Sequence, residues 1–157
     1  MAKISPFLWF DDRAEEAANL YVSLFPDSRI LSVSRYPEGT PAVGGSVMSV
    51  SMTLCGLDVQ AFNGGPHFSF TEAVSLFVDA EDQNEIDRLW DALTAEGGSP
   101  SRCGWLTDRF GLSWQIVPPV LGRLLADPDP EVSARVMQAM LAMSKLNIAE
   151  LERAAAG

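Results

Sequence analysis

The residues whose chemistry could serve a function are few, and they lie in two parts of the chain. His67 is the only histidine among 157 residues, and it follows the turn-forming segment Gly64-Gly65-Pro66. An imidazole titrates near neutral pH, so His67 is a candidate hydrogen-bonding or acid–base group; a loop histidine that caps backbone carbonyls fits the pattern too. Gln115 lies in an otherwise apolar stretch, where a buried amide needs a ligand, a water molecule or a side chain as partner.

Aromatic side chains accompany these polar residues. Rings on a concave sheet suit a planar or apolar ligand, although core packing also explains an aromatic residue in a strand. Trp105, beside Gly104, is the ring most expected to border a pocket. The candidate ligand-binding residues are Trp9, Phe62, Asn63, His67, Trp105, Trp114 and Gln115.

Other reactive residue types give weaker signals. Cys55 falls in an apolar stretch and is predicted to fill the core, whereas Cys103 precedes a glycine near a strand edge, where a reactive thiol is an open alternative. Two cysteines without a secretion signal favour reduced thiols. Asp108 and Arg109 are predicted to lie in a surface turn, where an ion pair contributes little to stability.

Composition favours a folded acidic protein. Hydrophobic residues make up 47% of the chain, and the formal net charge is −10. Binding to nucleic acid or to an anionic membrane surface requires clustered lysine and arginine, so neither partner is expected. The N-terminal residues show no signal-peptide pattern and no apolar run is long enough to span a membrane, so we expect a cytoplasmic location.

Hydrophobic periodicity predicts one element order twice. The first copy consists of a strand over 4–10, a helix from about 13 to 25, and strands over 29–36, 46–54 and 57–62. The second consists of a strand over 73–78, a helix over 84–95, and strands over 102–106 and 112–117, with one strand too short to predict. Helices over 120–125, 131–143 and 148–155 follow. We therefore expect a single domain over 1–157, with module one at 1–66, module two at 67–119 and a helical extension at 120–157.

The apolar face of the helix over 131–143 permits two interpretations. Val132, Val136, Met140 and Met143 share this face. Packing onto the rest of the domain is one explanation, and a contact between subunits is the other.

Short motifs along the chain identify a family. In the first module they are Pro6-Phe7-Leu8-Trp9-Phe10-Asp11, Tyr21-Val22-Ser23-Leu24-Phe25-Pro26-Asp27-Ser28 and Asn63-Gly64-Gly65-Pro66-His67-Phe68. Later ones are Cys103-Gly104-Trp105-Leu106, Gly111-Leu112-Ser113-Trp114-Gln115-Ile116-Val117-Pro118 and Asp127-Pro128-Asp129-Pro130. This series resembles the PhnB-like branch of the vicinal-oxygen-chelate superfamily (glyoxalases, bleomycin-resistance proteins and dioxygenases), a branch also labelled demethylubiquinone methyltransferase-like.

The resemblance implies an α+β fold of two βαβββ modules with mixed, curved sheets, and a homodimer whose modules pair within or across chains. It also implies a crevice between modules and, in superfamily enzymes, one metal ligand in the first and one in the last strand of each module. The corresponding positions here are residues 5–6, 61–63, 73–75 and Gln115. Only Asn63 and Gln115 could coordinate there, and both are neutral amides, so we expect no metal site.

Three functions remain open on the sequence. The first is metal-independent binding of a small apolar or aromatic molecule, without a cofactor. The second is catalysis, either methyl transfer as the label says or a metal-dependent lyase or dioxygenase reaction. Gly64-Gly65-Pro66 follows a strand but does not open a helix, which is poor context for a methyl-donor site. The third is a dimeric structural or regulatory role.

Overall fold

The computed structural model describes residues 1–157 and divides into two compact units, Met1–Phe70 and Thr71–Gly157. The boundary between the units follows Phe70, whereas the sequence suggested a module boundary after residue 66. The C-terminal helices belong to the second unit. None of the helices is long and apolar enough to cross a membrane.

The first unit is one βαβββ module. Its elements are β1 (Phe7–Phe10), α1 (Ala14–Leu24), β2 (Arg29–Arg35), β3 (Val47–Leu54) and β4 (Leu57–Asn63). The sheet has the order β1-β4-β3-β2, in which β1 and β4 are parallel and the other pairs are antiparallel. The predicted strand, helix and three strands are therefore confirmed.

Helix α1 covers one face of this sheet. Its buried residues are Ala14, Ala17, Ala18 and Tyr21, and the strands contribute buried residues that include Leu8, Phe10, Val50, Met52, Val59 and Ala61. Three alanines on the buried stripe are small enough to let the helix approach the sheet closely, and Tyr21 fills the remaining space. Because strand side chains alternate, the residues between these core positions point away from the helix.

The tight turn between β3 and β4 corrects the prediction for Cys55. Cys55 and Gly56 have φ values of 47° and 82°, and Cys55 is exposed. Successive positive φ values are typical of the two-residue turns that match the twist of a β-hairpin. The apolar sequence before Cys55 ends with β3, so the cysteine lies in the turn rather than in the core.

The second unit repeats the module and adds the C-terminal helices. The module consists of β5 (Ser75–Asp79), α2 (Gln83–Thr94), β6 (Ser99–Pro100), β7 (Trp105–Thr107) and β8 (Ser113–Val117), with a 3-10 turn over Ala95–Gly97. The sheet order β5-β8-β7-β6 matches that of the first unit, and β5 and β8 are again parallel. Strand β6 has two residues, which explains why the sequence could not predict it.

The C-terminal helices build their own apolar core. They are α3 (Pro119–Leu125), α4 (Pro130–Ala142) and α5 (Ile148–Ala156), and the Asp129 side chain caps α4 by accepting from the Glu131 amide at 2.9 Å. Leu121, Val136, Leu146 and Leu151 are buried together, and Val132, Met140 and Met143 pack against them. The methionine-rich face of α4 therefore packs within the unit, and Met137 and Leu141 on its other side remain exposed.

The segment between α4 and α5 fastens these helices to the module. The amides of Cys103 and Gly104 donate to the carbonyls of Met143 and Ser144 at 2.9 and 2.8 Å. Gln83 at the start of α2 donates to the Leu146 carbonyl at 3.1 Å. Hydrogen bonds lower the pKa of the Asp87 carboxyl below its ordinary value; the one from Gln83 has the larger effect and the one from Lys145 the smaller.

We expect the buried side chain of Leu146 to contribute strongly to the stability of this attachment. Leu146→Ala should lower the free energy of unfolding by about 2–5 kcal/mol, because the side chain is fully buried and its removal leaves a cavity. Leu141→Ala is the matched control, since Leu141 is 56% exposed. Urea unfolding followed by tryptophan fluorescence makes the comparison. Equal losses in the two variants would contradict the assignment.

Candidate functional site

Each sheet has a second face that points away from α1 in the first unit and away from α2 in the second, and we call it the open face. In the first unit the open face carries Phe7 and Trp9 of β1, Gln60 and Phe62 of β4, and Ser49 and Ser51 of β3. The strand register places Phe7 opposite Gln60 and Trp9 opposite Phe62. Aromatic rings therefore follow the parallel pair of strands, and hydroxyl groups follow the neighbouring strand.

Four rings form a continuous row on this face. The Trp9 ring lies edge-on to Phe62 and Phe68, with centroid distances of 5.1 and 4.9 Å. The Phe7 and Phe62 centroids are 5.5 Å apart. Phe7 and Phe68 are nevertheless 60% and 66% exposed. Rings that contact one another and still face solvent present a preformed apolar surface.

The glycines after β4 are explained by Trp9. A Cβ atom at residue 64 would lie within 2.5 Å of three ring atoms of Trp9. The Trp9 Nε1 atom donates to the Gly65 carbonyl at 2.9 Å, and Gly65 has a φ of 86°. The absence of a side chain at residue 64 thus lets the indole lie flat on the backbone, and Gly65 supplies the left-handed turn that aims its carbonyl at the indole.

Asn63 holds the end of the strand to the helix. Its Oδ1 atom accepts from the Ala14 amide at 2.8 Å, and its Nδ2 atom donates to the Val47 carbonyl at 3.1 Å. The Asn63 carbonyl accepts from the Tyr36 hydroxyl at 2.5 Å. Arg13, the residue before α1, makes no side-chain cap, so Asn63 satisfies the first helical amide from a distant part of the chain. Asn63, the last residue of β4, therefore connects that strand to α1 and to β3 through the two ends of its side-chain amide.

His67 lies at the rim of an acidic cleft in the first unit. The cleft has a volume of about 580 Å³ and lies where β1 and β4 end. Its lining includes Asp11, Asp12, Arg13, Glu15, Glu16, Tyr36, Asn63, Gly64, Gly65 and His67. Arg13 is hydrogen-bonded to Glu16 at 2.6 and 2.8 Å, so the remaining charge is mostly negative. His67 itself is exposed.

The open face of the second sheet brings Gln115 and Trp105 together. Gln115 lies opposite Phe77 of β5 on one side and Trp105 of β7 on the other. The Gln115 Nε2 atom donates to the Ser75 hydroxyl at 2.9 Å. Phe77 is 56% exposed, and Trp105 is half-buried. Two of the predicted residues therefore share a surface with a phenylalanine that sequence reasoning did not select.

Trp114 lies in the core of the second unit, which corrects its assignment as a ligand-binding residue. It alternates with Gln115 along β8 and therefore points to the helix-covered face, where it is 2% exposed. Its Nε1 atom donates to Asp108 Oδ2 at 2.9 Å. A tryptophan adjacent in sequence to an open-face residue belongs to the opposite face.

Asp108 is buried, contrary to the surface turn that its sequence suggested. Its carboxylate also accepts from the amides of Phe110 and Leu112 at 2.9 and 3.1 Å. Arg109 pairs with Glu96 instead. A carboxylate that accepts several hydrogen bonds can be buried at modest cost, and here it fixes the turn between β7 and β8.

Gln60 is the open-face residue that sequence reasoning missed. It lies opposite Phe7 in β4, as Gln115 lies opposite Phe77 in β8. Both glutamines occupy a half-buried position between two buried apolar neighbours. An alignment of the last strands of the two modules on this apolar–Gln–apolar pattern would have identified Gln60. The family resemblance instead suggested residues 61–63 as the equivalent of Gln115.

The donor atoms present do not fit the metal that the superfamily fold implies. The glutamines of the last strands are neutral amides, each bound to a serine hydroxyl. No group of three or more His, Cys, Asp or Glu side chains is arranged to hold a metal ion. A transition metal or zinc requires such converging anionic or imidazole donors.

Comparison with known proteins gives the class first. A protein from Pseudomonas aeruginosa shares the fold at 22% identity and a TM-score of 0.56, with 74% of this chain and 96% of that chain covered. A protein from Arabidopsis thaliana does so at 17% identity and a TM-score of 0.50, covering 74% and 98%. The two βαβββ modules have the vicinal-oxygen-chelate fold.

The family follows from closer matches. A family profile described as 3-demethylubiquinone-9 3-methyltransferase matches residues 2–117, and the chain belongs to this PhnB-like family. A PhnB protein from Bacillus cereus, provisionally described by the same methyltransferase name, is 37% identical with a TM-score of 0.69, over 74% of this chain and 99% of that chain. No curated protein matches this chain.

Gly64→Ala should displace the Trp9 ring, because the added methyl group would overlap the indole. In protein labelled with 5-fluorotryptophan, one of the four ¹⁹F signals should shift or broaden, and stability should fall by roughly 1–3 kcal/mol. Gly122→Ala in α3 is the control, since nothing lies within 4 Å of its added methyl group. Four unchanged signals for Gly64→Ala would contradict the contact.

Asp108→Ala should cost roughly 2–4 kcal/mol of unfolding free energy, because it leaves the Trp114 Nε1–H and two amides without their acceptor. Asp91→Ala is the matched control on the exposed side of α2. Thermal unfolding of the two variants decides the matter. A loss no larger for Asp108→Ala than for Asp91→Ala would show that the buried network does not contribute to stability.

Proposed function

We propose that this PhnB-like protein binds a small apolar or aromatic molecule without a metal. The observation that carries the proposal is the exposed row of aromatic rings beside hydrogen-bonding amides and hydroxyls on the open face of the first sheet. Phe7 and Phe62 provide the apolar contact, and Gln60 provides the polar one. Small-molecule sites typically combine a mostly apolar surface with a few placed polar groups.

The open face of the second sheet supports the same proposal. Phe77 and Trp105 flank Gln115 there. Neither face carries the donor set of a metal site, so affinity has to come from ring contacts and neutral hydrogen bonds.

We propose further that the protein is a cytoplasmic homodimer. Strand β2 supports this, since it is a mostly exposed edge strand whose backbone groups are available for pairing. Sedimentation velocity would give twice the chain mass of 17.0 kDa; a monomer at micromolar concentration would contradict the dimer.

Methyl transfer is the second candidate, and the description of the family favours it. Two features disfavour a methyl-donor loop at Gly64 and Gly65: contacts with Trp9 account for both glycines, and the next element of the chain is a strand, not a helix. Calorimetry with S-adenosylmethionine separates the candidates. The binding proposal predicts no saturable heat at micromolar concentrations, and saturable binding would favour the methyltransferase.

Binding of the uncharged fluorescent probe N-phenyl-1-naphthylamine tests the main proposal. The probe should gain fluorescence with this protein, and Phe7→Ala should weaken its binding roughly fivefold because an aromatic contact of about 1 kcal/mol is lost. Leu141→Ala removes a similarly exposed apolar side chain from α4 (56%, against 60% for Phe7) and should leave the affinity unchanged. No fluorescence gain, or equal affinity in all variants, would refute binding at the open face.

A further inference from the structure

The two modules repeat one side-chain pair on their open faces. In the first module Phe7 lies opposite Gln60, and in the second Phe77 lies opposite Gln115. Both pairs connect the first and last strands of a module, which are parallel in each sheet. The phenylalanines are exposed and the glutamines half-buried in both modules. The same ring and the same amide therefore stand side by side at equivalent positions.

A serine hydroxyl binds each glutamine, but the serines come from different strands. Gln60 Nε2 donates to Ser51 Oγ of β3 at 3.0 Å, and Gln115 Nε2 donates to Ser75 Oγ of β5 at 2.9 Å. The neutral glutamine–serine pair is thus built twice from unrelated positions. A serine hydroxyl can both donate and accept a hydrogen bond, so it can pair with either the NH₂ group or the carbonyl oxygen of the glutamine. In both orientations the other end of the amide, and one further hydrogen bond of the hydroxyl, can serve a ligand.

The charges near the two pairs disfavour an anionic ligand. The charged residue that shares the open face with Gln60 on β4 is Asp58, and the one that shares it with Phe77 on β5 is Asp79. Asp58 is bound to Lys3, and Asp79 is exposed. The exposed Asp79 and the chain charge of −10 repel anions, and neither β4 nor β5 contains a lysine or an arginine.

We propose that Gln60 and Gln115 determine ligand specificity, each anchoring the polar edge of a planar, uncharged molecule that carries a hydroxyl, amine or carbonyl group. The ring of that molecule packs on Phe7 or Phe77. This inference rests on the proposed function and adds to it the ligand's charge, its hydrogen-bonding edge and the equivalent roles of Gln60 and Gln115 in specificity.

Two naphthalene probes and three variants test the assignment. 2-Naphthol is uncharged at neutral pH, and 2-naphthoate presents the same ring with a negative charge. Calorimetry should show that 2-naphthol binds at least roughly tenfold more tightly than 2-naphthoate. Gln60→Met and Gln115→Met should each weaken 2-naphthol binding roughly five- to tenfold at the altered open face and leave binding at the other unchanged, because each loses one neutral hydrogen bond. Gln138→Met, on the exposed side of α4, should bind like the unmodified protein.

The outcomes separate this inference from the proposed function. Bound 2-naphthol with unchanged affinity in both glutamine variants would overturn the role of the glutamines and leave aromatic binding intact. Tighter binding of 2-naphthoate would overturn the charge preference. Failure of both naphthalenes and of N-phenyl-1-naphthylamine to bind would refute the proposed function itself. If a methionine variant does not fold, Ser51→Ala and Ser75→Ala decide, since releasing the glutamines should weaken 2-naphthol binding several-fold.

Discussion

The parallel pairing of the first and last strands of each module is the constraint on which the rest of the structure depends. It places residues from opposite ends of a module side by side in the middle of a sheet. In the first module this brings Phe7 beside Gln60, and in the second it brings Phe77 beside Gln115. The same pairing ends β4 next to the start of α1, so that Asn63 can satisfy the first helical amide.

The strand alternation then assigns each side chain to one of two roles. Residues on the helix-covered face, such as Val59 and Trp114, are buried and stabilise the unit. Residues between them reach the open face, where rings and neutral amides accumulate. A one-residue shift exchanges the roles, as Trp114 and Gln115 illustrate.

Sequence periodicity was sufficient for nearly all elements, because each helix and strand carries its own apolar pattern. It was insufficient where a residue hydrogen-bonds to a distant part of the chain, or where the backbone adopts a positive φ. The cap of α1 comes from Asn63, 49 residues from the amide that it binds. Asp108 is buried because Trp114 and two amides turn towards it, and Cys55 is exposed because the hairpin requires its positive φ. Of the site that we propose, the aromatic character and Gln115 were visible in the sequence, whereas Gln60 required the strand register.

The family description names methyl transfer, whereas the function that we propose is metal-independent binding of a small molecule. Native mass spectrometry of untagged protein, before and after treatment with a chelator, tests this claim most directly. The account predicts an organic molecule bound non-covalently, with the same occupancy after the chelator. A stoichiometric metal ion whose removal releases the bound molecule would contradict it.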